Sequence, residues 1–243
     1  MRVFAFSKRC AKEILRDPLN LIFGIGFPVV LLLLLSAIQA NIPVDLFEIK
    51  TLAPGISVFG LSFITLFSAT LVAKDRESSF LQRLYTTPLK ASDFILGYMI
   101  PMIPMALAQS AVCYSVAVLF GLPFDLNVIY AIFMMLPVSV FYISLGLLCG
   151  SFFSVKQVGG ICGALLTNLS AWLSGIWFDL ELVGGLFCKI ADFLPFIHAV
   201  ELERAIVNGN FFAISEHLFS VLFYMAIIAS GAVALFLHQM KKQ

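Results

Sequence analysis

The residues best suited to interact with a soluble molecule are concentrated in one segment, 74–93, KDRESSFLQRLYTTPLKASD, which lies between two long apolar runs. Four side chains share one face of a predicted helix, at positions i, i+3, i+4 and i+7: Glu77, Phe80, Leu81 and Leu84. Arg76 and Arg83 flank this face, Asp75 is expected to point away from it, and Pro88 ends the helix. An acidic residue in line with an apolar face suits a helix that docks in a groove of a soluble partner. The alternative is a connector that lies on the membrane surface with its arginines on lipid phosphates.

Other residues that could carry catalysis are sparse. The sequence has no GxxxxGK[ST] loop, so an ATP site of the Walker type is excluded. Of the three histidines, His198 lies in a polar segment and His217 and His238 lie at the two ends of an apolar run, which predicts interfacial positions. The five cysteines form no CxxC pair and are expected to be small apolar fillers. We therefore expect no catalytic residue, no metal ligand and no cofactor on this chain.

The composition indicates the elements that must position the 74–93 segment. Hydrophobic residues make up 61% of the chain and charged residues 12%, against about 25% charged in soluble proteins. Crossing a bilayer takes roughly 20 helical residues, and lipid-exposed backbone must satisfy its own hydrogen bonds. The sequence therefore predicts an all-α polytopic membrane protein. Its six predicted transmembrane helices are Leu19–Ala40, Leu52–Ala73, Phe94–Phe120, Asn127–Phe153, Gln157–Phe178 and His217–His238.

The distribution of basic residues predicts the orientation in the membrane. With the N-terminus inside, twelve of the fifteen lysines and arginines lie in inner segments: Arg2, Lys8, Arg9, Lys12, Arg16, Lys74, Arg76, Arg83, Lys90, Lys156, Lys241 and Lys242. Only three lie in outer segments: Lys50, Lys189 and Arg204. By the positive-inside rule, both termini and the 74–93 segment are cytoplasmic. The basic residues are therefore interpreted as topology signals, and no nucleic-acid partner is expected.

Two further segments flank the spans in a single membrane domain, residues 19–243. Residues 1–18 mix apolar and basic side chains, which predicts an amphipathic helix on the inner membrane surface, with its apolar face in lipid and its basic face toward anionic headgroups. A disordered basic leader is the alternative. Residues 179–216 are too polar to span but apolar enough to re-enter the outer leaflet as short helices, broken at Gly184-Gly185 and Pro195.

Two glycine pairs at four-residue spacing predict close helix crossings. They are Gly146 with Gly150 and Gly159 with Gly163. Small residues at this spacing let two helix backbones approach each other.

The six predicted spans contain no Asp, Glu, Lys or Arg. Ion-driven carriers usually need intramembrane ionisable groups, so the energy for any transport is expected to come from another subunit. Two alternatives from other classes stay open. One is an ion-coupled secondary carrier, whose transport would collapse with the ion gradient. The other is a non-transporting membrane scaffold.

The segment VAKDRESSFLQRLYTTPLKASDFILGYMI resembles the loop after the second span in ABC-2 type permeases, the membrane subunits of bacterial ATP-driven exporters. The matching residues are Arg76, Glu77, Leu81, Arg83, Leu84, Thr86, Thr87, Pro88, Leu96 and Gly97. The sequence departs from the family at Ser79-Phe80, where glycine and threonine are usual. The segment before the last span is also similar, at Pro195, His198, Ala199 and Gly209.

The resemblance implies a type V-like exporter fold with an N-terminal elbow helix, a coupling helix near Glu77–Tyr85 and re-entrant outer helices. It implies a dimer of permeases, with identical or homologous partners, and two cytoplasmic ABC ATPase subunits that carry ATP and Mg²⁺. The implied coupling residues are Arg76, Glu77, Phe80, Leu81, Arg83, Leu84 and Pro88. The implied substrate path runs between spans 2 and 5 at the dimer interface, with these candidate residues: Ser62, Thr65, Ser68, Thr167, Asn168, Ser170 and Trp172. Ordinary helix packing is the alternative role for the serines and threonines.

The family context further implies a bacterial plasma membrane, surrounding membrane lipid as a partner, and functions such as multidrug efflux and antibiotic resistance.

Overall fold

Every regular element is a helix in the computed structural model, which describes residues 2–43, 47–78, 80–81, 91–178 and 180–241. In chain order the elements are α1 Arg2–Leu15, α2 Pro18–Leu21, a π-helical turn Ile22–Gly26, α3 Phe27–Gln39, α4 Ile49–Glu77, α5 Ala91–Leu119, α6 Leu126–Phe152, α7 Val155–Val158, a π-helical segment Gly159–Leu166, α8 Thr167–Trp172, α9 Leu180–Val183, α10 Gly185–Phe193, α11 Pro195–Val207 and α12 Phe211–Lys241.

Five helices within the described residues are long and apolar enough to cross a membrane. They are Ile22–Gln39, Ile49–Glu77, Ser92–Leu119, Leu126–Phe152 and Phe211–His238. These match the predicted spans 1, 2, 3, 4 and 6, with shifted bounds. The second extends past its predicted end at Ala73 to Glu77, because its polar last turn finds partners within the protein.

The predicted fifth span, Gln157–Phe178, differs from the structure. Continuous helix runs from Val155 to Trp172 through α7, the π-helical segment and α8, and a turn begins at Leu173. This helix carries Lys156, Gln157 and Asn168, and it is not among the five apolar helices. The number of crossings, six, stays a prediction.

Helix α4 lies at the centre of the helical bundle. Of its most apolar window 89% is buried inside the protein, against 11% for α12, which is therefore peripheral. Helix α4 contacts α3, α5, α6, α11 and the helix that begins at Val155. The charged residues at its C-terminal end are consequently surrounded by other elements of the chain.

Helices α4 and α6 run parallel and pack closely through glycine. A Cβ atom at Gly146 would lie 1.9 Å from the Ser68 hydroxyl, and one at Gly150 would lie 2.4 Å from the Ala69 carbonyl oxygen. The close crossing predicted for this pair is confirmed. The second pair makes no close backbone crossing within the described residues of this chain, since Gly159 has no atom within 4 Å of a built Cβ and Gly163 meets only the Leu66 side chain, at 3.4 Å.

The two ends of the bundle are distinguished by α1 and α11. The rings of Phe6 in α1 and Phe94 in α5 lie 5.8 Å apart, and those of Phe94 and Phe236 in α12 lie 5.6 Å apart. Helix α1 and the C-terminal part of α12 therefore share one end, called the α1 end below. Helix α11 packs at the opposite end, called the α11 end.

Candidate functional site

A buried carboxylate in the last turn of α4 binds α1 and α5. Asp75 is 2% exposed, and its Oδ1 accepts a hydrogen bond from Arg9 Nη2 at 2.6 Å. Arg9 Nη1 and the Tyr98 hydroxyl, at 2.8 Å, both donate to its Oδ2. Arg9 also pairs with Glu13, one turn along α1, at 2.6 Å. Since an isolated buried charge is costly, this set of donors holds Asp75 in place.

The sequence predicted only that Asp75 points away from the face of Glu77, and it did not predict the partners of this carboxylate within the chain. The residues from Lys74 to Glu77 continue α4, so they keep its helical phase and Asp75 turns toward α1 and α5. Helix α4 ends at Glu77, and the single helix predicted from Glu77 onward is interrupted at Ser78, which is a turn residue. The signal that sequence reasoning missed is Arg9, a cation three residues after Phe6 on the apolar side of α1.

Apolar contacts dock α1 beside this carboxylate. The ring of Phe6 meets three others, at centroid distances of 4.9 Å to Tyr98, 5.8 Å to Phe94 and 6.5 Å to Phe80. The Arg9 guanidinium lies 4.3 Å from the centroid of Phe80, a cation–π distance. Cys10, fully buried next to Arg9, is a filler as expected, and burial raises the pKa of its thiol to about 12.

The face of α1 that meets the protein differs from the sequence-based expectation. Phe6 and Ile14 were expected in lipid, but they are buried against the bundle. Gly97 permits this contact, because a Cβ atom there would lie 2.2 Å from Phe6 Cδ1. Phe4 and Leu15, in contrast, are 70% and 66% exposed.

Arg76 and Glu77 hold the linker between α6 and α7. Arg76 donates to two carbonyl oxygens, from Nη1 to Ser151 and from Nη2 to Phe153 at 2.6 Å. Glu77 Oε1 accepts the backbone N–H of Val155 at 2.9 Å. This N–H belongs to the first turn of α7 and has no helical partner, so Glu77 supplements the capping box that Ser154 and Gln157 form.

The structure places four of the seven predicted coupling residues. Arg76 and Glu77 bind the α6–α7 linker, Phe80 packs between Phe6 and Arg9, and Leu81 is 1% exposed. These four contact other parts of the same chain. The other three lie outside the described residues: Arg83, Leu84 and Pro88.

The predicted path residues fall into two groups. Five are buried within the single chain: Ser62, Thr65, Ser68, Thr167 and Ser170. The Thr65 hydroxyl donates to the Tyr142 carbonyl oxygen at 2.8 Å, and the Ser170 and Tyr142 hydroxyls lie 2.9 Å apart. Asn168 and Trp172 are exposed on the outer side of their helix.

A second buried carboxylate lies at the α11 end. Glu203 is 0% exposed, and its Oε2 accepts the Tyr114 hydroxyl at 3.0 Å. Its Oε1 has no described partner. Helix α11 is not one of the five spanning helices, and burial raises the pKa of Glu203 well above its usual range. The protonated, neutral form is therefore favoured. The sequence of this segment showed a mixture of apolar and charged residues, but it could not show which of its carboxylates is buried.

Arg204, the next residue, fixes α11 to its surroundings. It donates to Glu201 Oε1 at 2.7 Å, to the Thr51 carbonyl oxygen at 3.2 Å and to the Gly175 carbonyl oxygen at 2.9 Å. A cleft of about 750 Å³ opens beside it, with Trp177 among its walls. Because Arg204 is committed to these partners, it is a structural element of the cleft wall.

Two histidines join α11 to α12. His198 Nε2 lies 2.9 Å from the carbonyl oxygen of Asp192, which can only accept, so this nitrogen carries a proton. The Nδ1 atoms of His198 and His217 lie 3.1 Å apart, and in the neutral pair His217 is the donor. Within the described residues, no three His, Cys, Asp or Glu side chains are grouped so as to hold a metal ion.

The long apolar helices, with charged networks at both ends of their bundle, define a multi-pass helical membrane protein. The family model described as ABC-2 type transporter matches residues 1–208. The chain therefore belongs to the ABC-2 type transporter family, as its resemblance indicated, and is a permease component of an ABC transporter. Membership in this family implies association with an ABC ATPase. A comparison with curated protein sequences finds no significant match.

Proposed function

We propose that the chain is the permease subunit of an ATP-driven exporter and moves an amphipathic or lipid-like substrate outward. The cargo class includes drugs, peptide antibiotics and lipids. Two permeases would assemble with two cytoplasmic ATPase subunits, in a bacterial plasma membrane whose lipid surrounds six crossings. Both termini and the 74–93 segment would be cytoplasmic.

The observation that carries this proposal is the convergence of several segments on the last turn of α4. Arg9 of α1 and Tyr98 of α5 bind Asp75, while Arg76 and Glu77 bind the linker between α6 and α7. A displacement of the segment that follows α4 would therefore be transmitted to four other elements at once. This is the connectivity that coupling to an external ATPase requires.

Contacts within the chain indicate which of the proposed coupling residues act inside the permease: Arg76 and Glu77 bind the α6–α7 linker, and Phe80 packs against α1. Leu81 and Asp75 are 1% and 2% exposed, so they cannot line a contact with another subunit in this conformation. We assign Arg76, Glu77, Phe80 and Leu81 to transmission inside the permease. The contact with the ATPase is assigned to Arg83, Leu84 and Pro88.

The substrate path is proposed at the interface of two permeases, between α4 and the helix that begins at Val155. Asn168 and Trp172 support it, because both are exposed on that helix. The five buried candidates named above are occupied by hydrogen bonds or packing within the chain. They would meet substrate only if α4 and its neighbours separate during transport.

The test is a Leu84→Asp variant of the permease, co-reconstituted with its ATPase in proteoliposomes with a fluorescent phospholipid as probe. A charge at an apolar docking position is expected to lower permease-dependent ATP hydrolysis by about tenfold or more, a loss of about 1.4 kcal/mol. Leu182→Asp is the matched control, since Leu182 is 80% exposed and lies in α9, in the predicted outer segment.

Equal ATP hydrolysis and transport in both variants and the wild type would contradict the coupling assignment. Transport that persists without the ATPase and collapses with an ion gradient would instead identify a secondary carrier. Absence of transport, together with a neutral Glu77→Ala substitution, would identify a scaffold.

A further inference from the structure

Helix α1 presents three distinct faces. One is buried against the bundle: Phe6, Cys10 and Ile14. The second, called the basic face, consists of three exposed cations at positions i, i+4 and i+8, two in α1 and one directly after its last residue: Lys8, Lys12 and Arg16. The third is apolar and exposed, formed by Phe4 and Leu15. Some apolar residues of α1 therefore pack against the bundle and others are exposed, and the basic face takes no part in packing α1 against the bundle.

The basic face has no partner within the described residues. Arg9, the neighbouring cation, is occupied by Asp75 and Glu13, whereas Lys8, Lys12 and Arg16 make no ion pair or side-chain hydrogen bond there. They line an open groove of about 750 Å³ that reaches Pro18 and also includes Arg9, Glu13 and Asp17, so four cations outnumber two carboxylates there. Like charges at i, i+4 spacing destabilise a helix, so an anion in this groove would stabilise α1.

The position of the groove relative to the first spanning helix places it at the membrane surface. Its apolar rim continues from Leu15 to Leu19, Ile22 and Phe23, which are 66%, 63%, 59% and 44% exposed. The first spanning helix begins at Ile22, only six residues after Arg16. The three cations therefore lie next to the start of the hydrocarbon layer, where phospholipid headgroups are found.

We propose that Lys8, Lys12 and Arg16 form a binding site for the phosphate of an anionic phospholipid. The arginine guanidinium matches two phosphate oxygens at once, and the two ammonium groups add charge around them. Acyl chains of the same lipid would run along the exposed apolar side chains of α1 and the first span. A zwitterionic lipid is disfavoured, because its own ammonium would meet the three cations. This site is independent of the transported substrate.

The experiment uses the full-length permease, purified in detergent without any ATPase, and native mass spectrometry. Phosphatidylglycerol and phosphatidylcholine are titrated in parallel against the wild type and the K8Q/K12Q/R16Q variant. Each basic residue at an anionic surface contributes about fivefold in affinity, so the triple variant is expected to bind phosphatidylglycerol at least about tenfold more weakly. Phosphatidylcholine binding is expected to stay unchanged.

The matched control is K50Q/K156Q/K189Q, which removes three other exposed lysines and the same charge. It is expected to retain the phosphatidylglycerol preference, and an equal loss in both variants would overturn the site in favour of general charge attraction. Competition by millimolar inorganic phosphate as effective as that of the lipid would overturn it in favour of a free-anion site. Unchanged lipid binding in K8Q/K12Q/R16Q, with loss of ATPase co-purification, would overturn it in favour of a protein-docking face.

Hydrogen–deuterium exchange across residues 2–15 shows whether α1 remains docked. If these amides stay as protected in the triple variant as in the wild type, a loss of lipid binding results from the removed cations and not from undocking of α1. If docking is lost, the single variant Lys12→Gln is measured, and full retention of its lipid affinity would count against the site.

Discussion

Breaking the ion pair between α1 and α4 is expected to cost more stability when the arginine is replaced than when the aspartate is replaced. Arg9→Met removes the main donor to Asp75 and leaves its carboxylate buried with only the Tyr98 hydroxyl. Removing one partner of a buried pair costs 3–5 kcal/mol, and the Arg9 side chain is 35% exposed, so we expect the lower end, about 3 kcal/mol. Asp75→Asn removes the charge but keeps an amide oxygen for Arg9, and is expected to cost only about 1 kcal/mol.

The same reasoning predicts rescue in the double variant. Once Asp75→Asn has removed the charge, Arg9→Met no longer leaves an ion unpaired, so the pair of substitutions is expected to cost less than Arg9→Met alone. Residues in direct contact show such non-additive energies.

Hydrogen–deuterium exchange of the α1 amides measures this local stability, because protection reports the free energy of local opening. A loss of about 3 kcal/mol corresponds to exchange on the order of 100-fold faster in residues 2–15 for Arg9→Met, with α4 and α6 still protected. Lys12→Met removes a cation from the exposed side of α1 and is the control. Exchange in Arg9→Met within threefold of the wild type, or additive effects in the double variant, would refute the reasoning.

Two further predictions concern packing and burial, both measured by thermal unfolding in detergent. Gly150→Ala is expected to cost about 1–3 kcal/mol, because the new methyl group overlaps the α4 backbone, whereas Gly159→Ala meets open space and is expected to be neutral or stabilising; similar shifts in both would contradict the packing. At Glu203, whose pKa is raised by burial, the protonated form is favoured in the folded state, so stability is fully present below about pH 4.5 and falls as the pH rises toward the folded-state pKa. Glu203→Gln is expected to remove this pH dependence and Glu203→Ala to leave the Tyr114 hydroxyl without its acceptor, at about 1–3 kcal/mol; an unchanged pH profile in Glu203→Gln would count against a neutral carboxyl.

The spanning helices could be predicted from the sequence because hydropathy is a local property. Five of the predicted spans coincide with long apolar helices of the structure. The end of α4 could not be placed, since its polar last turn looks like a loop when its partners are unknown. Arg9 is 66 residues away from Asp75, and the Val155 N–H is 78 residues away from Glu77. No local pattern reports such contacts.

The same limit applies to the predicted coupling face. The helical spacing of Glu77, Phe80 and Leu81 suggested one surface for a partner, but the helix is interrupted at Ser78 and Leu81 is buried. Burial of Glu203 depends on Tyr114, 89 residues away, and was equally invisible in the sequence. The sequence pattern thus pointed to this segment, but it could not show which of its residues contact the rest of the chain.

The parallel packing of α4 and α6 has a mechanical consequence. Close contacts at Gly146 and Gly150 join the two helices in the half nearer the α1 end, and Arg76 and Glu77 connect α4 to the α6–α7 linker at that end. The pair can therefore tilt as one lever, with α4 about 43 Å long at 1.5 Å per residue. By that length, a tilt of about 5° applied at the α1 end would shift the opposite end by roughly 4 Å. A small movement at the charged end would thus be enlarged where α4 meets Arg204 and the cleft beside it.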